Sequence, residues 1–187
     1  SGGAVDRSRR WQAVLRSFRA RVLLLLDALA RDAEAGGRSS RRWRRIRRST
    51  GRVGEVALAL EQAVGLGADP PPAEHVRTWV SSLLHAEVAV DTLVEAVHGL
   101  AKLETSPESR RRIARMVRLL QSWIAGGDTS ARDQAIRIHD EGTARRSDAE
   151  RAEHPELWWR LGSAMHTLGS SRPWDAFPPL DPSRSAV

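Results

Sequence analysis

Apolar residues recur through this chain at alternating steps of four and three, the spacing that lines up one face of an α-helix. Trp11, Leu15, Phe18, Val22, Leu25 and Leu29 form the first such seam. Trp43, Ile46, Thr50, Val53, Ala57, Leu60 and Val64 form a second. Val76, Trp79, Leu83, Ala86, Val90, Leu93, Val97 and Leu100 form a third. No comparable stretch alternates with period two or concentrates β-branched and aromatic residues, so strands are not expected. Chains patterned in this way bury their seams against one another, and the expected fold is all-α: an elongated antiparallel bundle of five to six helices, the first three long.

Punctuation between the seams sets the expected boundaries. The first helix is expected over about Val5–Ala35 and stops at Gly36–Gly37, since glycine supplies the left-handed C-terminal cap. Ser39 or Ser40 caps the second, whose end is marked by Gly65, Gly67 and Asp69–Pro70–Pro71–Pro72. The third is expected over Ala73–Glu104 and spans about 45 Å at 1.5 Å per residue. Ser106–Pro107–Glu108 opens a fourth, with proline at the first helical position. Its apolar positions are Ile113, Met116, Leu120 and Trp123, and Gly126–Gly127 closes it. A weaker fifth follows Asp128–Thr129–Ser130, with Ala131, Ala135 and Ile138 inside and Gly142 near its end. His154–Pro155 opens a sixth carrying Leu157, Trp158, Leu161, Met165 and Leu168, closed by Gly169–Ser170–Ser171. Residues 1–4 read as a vector-derived remnant or linker, 5–169 as one helical-bundle domain, and the proline-rich 170–187 as a flexible tail that Trp174 and Phe177 could anchor.

Charge is the second constraint. The 187 residues carry a net charge of +7 at pH 7, unevenly distributed. Residues 1–56 hold fifteen arginines against five carboxylates, whereas 57–104 hold two basic residues against seven acidic ones. The basic excess peaks at 38–52, RSSRRWRRIRRSTGR, where eight of fifteen residues are arginine. Trp43 and Ile46 lie on the seam, so the arginines fall between inward positions and project outward. Arg41, Arg42, Arg44, Arg45, Arg47 and Arg48 are the candidate contacts for an anionic membrane surface or another polyanion. The plainer alternative is a solvated helix face partly paired with the acidic third helix. No helix-turn-helix, RNA-recognition or zinc-finger pattern accompanies the run, so sequence-specific nucleic-acid binding ranks below both.

Other chemistry has less support. Cysteine is absent, which excludes a disulfide scaffold and thiolate ligands. No Gly-x-Ser-x-Gly elbow or glycine-rich phosphate loop is present. No apolar run is longer than that of Val22–Leu26, which is far below the roughly 20 residues that cross a bilayer. No cofactor is expected. Glu95 and His98 have the Glu-x-x-His spacing of carboxylate-bridged metal sites. A second copy of that motif is missing, so the pair is a weak metal candidate. The preferred reading is that Glu87, Asp91 and Glu95 form an acidic stripe facing the first or second helix. His75 and His85 read as polar positions on or beside the third helix, and His139–Asp140–Glu141 as unspecific. Trp11, Trp43, Trp79, Trp123 and Trp158 are expected in the core. Trp159 departs from its stripe and is expected to meet another helix or a partner.

Two passages carry a resemblance. Arg52-Val-Gly-Glu-Val-Ala-Leu-Ala-Leu-Glu-Gln62, followed by Leu84-His-Ala-Glu-Val-Ala-Val-Asp-Thr-Leu-Val-Glu-Ala-Val97, resembles the soluble part of bacterial fusaric acid resistance or aromatic acid exporter-like (FUSC-type) membrane proteins. Glu61 and Glu87–Val90 are the matching positions, and the helix after Pro107 and the break at 126–128 fit the same order. The resemblance covers roughly residues 5–140. It implies a cytoplasmic helical domain attached to a transmembrane half that exports small organic acids, with no catalytic residues of its own. The expected role is assembly, regulation or docking at the inner membrane face, with the anionic membrane, the transmembrane half and further copies of the chain as partners. The alternative is a stand-alone helical module that binds nucleic acid or another polyanion through 38–52.

Overall fold

A computed structural model describes the backbone of residues 2–65, 73–104, 106–145 and 155–171, and the side chains of 13–56, 58, 59, 62, 80–104, 106–143 and 155–170. The described residues form six helices and no strand: α1 (Gly2–Glu34), α2 (Ser40–Gly65), α3 (Ala73–Leu103), α4 (Pro107–Gly126), α5 (Thr129–Arg145) and α6 (Pro155–Ser171). The fold is an all-α helical bundle. α1 starts before Val5, so the backbone of 2–4 is helical. α6 runs through Gly169 to Ser171, its last turn held by the Ser170 hydroxyl donating to the His166 carbonyl at 2.7 Å. The tail from 172, with Trp174 and Phe177, lies outside the described residues, as do His154 and the prolines at 70–72; the side chains of Trp11, Glu61, His75 and Trp79 do too.

The helix ends follow their local chemistry. After α1 the Gly37 N–H donates to the Asp32 carbonyl at 2.9 Å and the Gly36 N–H to the Ala33 carbonyl at 3.1 Å, a paired C-terminal cap with both glycines at positive φ (76° and 62°). The Ser39 hydroxyl, one of the two serines available, accepts from the Arg42 N–H at 3.2 Å and starts α2. Ser106 caps α4 ahead of Pro107, and Gly127 (φ 70°) donates to the Trp123 carbonyl at 2.7 Å to end it. Asp128 caps α5 by accepting from the Ala131 N–H at 3.2 Å.

Packing forms one contiguous core to which all six helices contribute. α1, α4, α5, α6 and α3 touch in that cyclic order and close back on α1, while α2 lies over the junction of α1 and α3. α2 runs antiparallel to α3, since Trp43 meets His98 and Gly54 meets Glu87, whereas α4 packs on α1 and barely touches α3. Between α1 and α4, Arg118 reaches Asp27 and Glu34, Gln121 donates to the Leu23 carbonyl, and Arg110 lies against Gly36. α3 runs parallel to α1, since Asp32 meets His98 and Gly37 meets Lys102. α3 is buried on most of its circumference at its C-terminal half: Val90, Leu93, Val94, Ala96, Val97, Leu100 and Ala101 are all inaccessible. The Gly99 position admits Leu157 of α6 so closely that a Cβ there would lie 3.3 Å from its methyls.

Most described seam residues are inside. Leu15, Phe18, Val22, Leu25 and Leu29 are buried on α1, and Ile46 and Val53 on α2. Trp123 is buried, and Trp43 and Trp158 are partly buried against the core. Trp159 is 72% exposed.

Candidate polyanion surface and its buried support

The N-terminal half of α2 separates its residues by angle. Ile46 is fully buried, while Arg41, Arg42, Arg44, Arg45, Arg47 and Arg48 are exposed. Arg47 is the arginine turned towards α3. Its guanidinium donates to Glu95 at 2.6 Å and Asp91 at 3.2 Å, and lies 5.8 Å from the Trp43 ring centroid. The acidic stripe therefore faces the second helix, and the preferred reading of Glu87, Asp91 and Glu95 holds. Arg41, Arg42, Arg44, Arg45 and Arg48 form no ion pair among the described residues. Five cations are thus held within two helical turns by a rod anchored on the core. That is an electrostatic surface with fixed spacing, suited to phosphate-bearing partners.

Beneath it lies an arrangement that connects α2, α3 and α1. The Trp43 indole stacks on the His98 imidazole, with centroids 3.7 Å apart and planes 8° from parallel. His98 Nδ1 is 2.8 Å from Asp32 Oδ2. Asp32 is completely inaccessible and His98 only 8% exposed. Stacking covers an imidazole face and the carboxylate fixes one ring nitrogen, so the Trp43 indole lies on an anchored ring. Asp32 Oδ1 has no hydrogen-bond partner among the described residues. Gly37 sits against this pair, and a Cβ there would be 3.2 Å from His98 Nδ1 and 2.8 Å from the Lys102 side chain.

Asp32 is the residue that sequence reasoning missed. The signal was present: Asp32 continues the α1 seam three residues beyond Leu29, so a carboxylate occupies a core position of an otherwise apolar stripe. A charged group there demands a buried partner, and His98 is it.

The weak metal candidates take different partners. Glu95 engages Arg47 on the surface, whereas His98 engages Asp32 inside. No group of three or more His, Asp or Glu able to hold a metal occurs among the described residues. His85 is exposed on α3. His139 bridges α5 and α6, with Nε2 2.9 Å from the Trp158 carbonyl and Nδ1 3.2 Å from Asp140, and it lies close over Gly162. An acid–histidine pair can move a proton, but His98 makes no hydrogen bond other than that to Asp32 among the described residues, so no nucleophile is aligned with it.

Beside Arg47 a groove of about 350 Å³ opens between α2 and α3, lined by Thr50, Gly51, Gly54, Glu87, Val88 and Asp91. Glu87 lies across Gly54 so closely that a Cβ would be 2.7 Å from its carboxylate oxygen.

Comparison with family models, with curated proteins and with solved structures yields no match.

Proposed function

We propose that this chain is a non-enzymatic helical domain of a membrane transporter-like protein, docked at the cytoplasmic face of the membrane through the outer face of α2. The observation that carries the reading is the set of five arginines, Arg41, Arg42, Arg44, Arg45 and Arg48, displayed on one rigid helix without an intramolecular counter-charge among the described residues. Anionic lipid headgroups supply the missing charge, and arginine offers them a forked donor. No described helix is long and apolar enough to cross a membrane, so on this reading attachment is electrostatic or comes from a transmembrane half of a longer protein. Resemblance to the soluble part of aromatic acid exporter-like proteins supports the same placement, with organic-acid export belonging to the membrane half and assembly or regulation to this one. Self-association of the domain is part of the proposal.

Vesicle co-sedimentation tests it. The protein is expected to pellet with anionic vesicles and not with neutral ones, and to be released as salt shortens the Debye length. Arg41→Ala combined with Arg45→Ala is expected to cost about 2 kcal/mol, roughly thirtyfold in partitioning, at about 1 kcal/mol per basic group. Equal recovery with neutral and anionic vesicles would overturn the docking. Salt-sensitive binding to random duplex DNA without vesicle binding would favour the stand-alone polyanion-binding module.

A further inference from the structure

A second seam runs along the outside of α2. Arg44, Arg48, Gly51, Glu55 and Leu58 follow one another at steps of four, three, four and three, so they form a continuous ridge on the helix surface. All five are exposed. The ridge is basic at its N-terminal end, acidic at Glu55 and apolar at Leu58, and its middle is a glycine with no atom within 4 Å of where a Cβ would sit. Glu55 has no ion partner among the described residues, and neither do Arg44 and Arg48.

The adjoining strip of α3 has the same lopsided character. Contacts of Trp43 with His98, Arg47 with Asp91 and Glu95, and Gly54 with Glu87 define an antiparallel register between α2 and α3. Continued by one turn, that register brings Leu58 level with Leu84. Leu58 is 55% exposed, Leu84 42% and Val88 65%. An apolar strip thus flanks the groove at the end of the ridge remote from its arginines.

We infer that this ridge is the contact surface for a second copy of the chain, crossing antiparallel α2 on α2 with its two-fold axis at Gly51. A two-fold interface must be self-complementary, each patch meeting its own reverse. An antiparallel crossing at Gly51 places Arg48 opposite the partner's Glu55 and Arg44 opposite the partner's Leu58, whose side chain the aliphatic stem of arginine can cover. The missing side chain at Gly51 lets the two backbones approach. Arg44 and Arg48 thus leave the lipid-facing set in the dimer, whereas Arg41, Arg42 and Arg45 stay outside this crossing and keep it. The inference deepens the self-association within the function proposed above, and it is read without lipid.

Sedimentation equilibrium of the full chain in vesicle-free buffer, with far-UV circular dichroism as the check on folding, tests it. The native protein is expected to dimerise, and Arg48→Glu or Glu55→Arg alone to weaken the dimer about tenfold or more through like-charge contact. The double exchange, Arg48→Glu with Glu55→Arg, is expected to restore it. Gly51→Leu favours the isolated helix and is expected to abolish the dimer without loss of helicity. A monomer at all concentrations overturns the inference, as does a dimer indifferent to the charge reversals or not recovered by the exchange. None of those results touches vesicle binding by Arg41 and Arg45.

Discussion

Asp32 and His98 show how one pair of residues can tie the surface to the core. A fully buried carboxylate is tolerated because His98 Nδ1 stands 2.8 Å away, and the imidazole is in turn sandwiched by Trp43. Removing either partner leaves the other desolvated and unmatched. Asp32→Ala and His98→Ala are each expected to cost about 2–4 kcal/mol in urea unfolding. The double variant should cost less than their sum by at least about 1 kcal/mol, since the two groups act on each other. Additive losses would mean that the pair is not energetically coupled. Arg47 offers the contrast. Its pairs with Asp91 and Glu95 are about half exposed on both sides, so Arg47→Ala should change stability by less than about 1 kcal/mol in the same measurement.

Among elements, the joint between α1 and α2 is more demanding than its length implies. Gly37 and Gly127 both hold left-handed backbone at similar φ, 62° and 70°. Space around them differs: a Cβ at Gly37 meets Lys102 and His98, whereas nothing lies within 4 Å of one at Gly127. Gly127→Ala is therefore expected to cost about 1–2 kcal/mol, the conformational penalty alone. Gly37→Ala should cost measurably more, because Lys102 can swing away but His98 is clamped between Asp32 and Trp43. Thermal unfolding of the two variants side by side checks this, and equal losses would refute the close approach. The caps themselves were legible beforehand, because Gly36–Gly37, Ser106–Pro107 and Asp128 act on backbone groups within a few residues. The end of α6 was less so. Gly169 reads as a stop, but the helix continues to Ser171, with the Ser170 hydroxyl donating to the His166 carbonyl.

For the whole molecule, a ring of helices around one core implies that no helix unfolds by itself. Leu26 of α1 and Leu161 of α6 belong to the same buried cluster although far apart in the chain. Leu26→Ala and Leu161→Ala are each expected to cost about 2–5 kcal/mol, and both should shift one shared unfolding transition seen alike by circular dichroism and tryptophan fluorescence. Two separable transitions would show that the bundle is made of independent parts. The charge separation also acts at this scale. The basic α2 and the acidic outer edge of α3 attract across their shared boundary through Arg47, while the remaining arginines of 38–52 face outward because Ile46 holds the opposite side of the helix in the core.

Helix number, order, most boundaries and the outward direction of the arginine run were determined by local rules: periodicity decides which side is apolar, and capping residues decide where a helix ends. That argument reached Ile46 and the acidic stripe correctly because both depend on angle around a single helix. It could not reach the Asp32–His98–Trp43 stack, the parallel pairing of α1 with α3, or the crossing of Leu157 at Gly99. Those depend on rotation and height of one helix against another, which follow from side chains remote in the chain filling the same space. Spacing along one helix sets what faces inward, but only the packed bundle decides what it meets there.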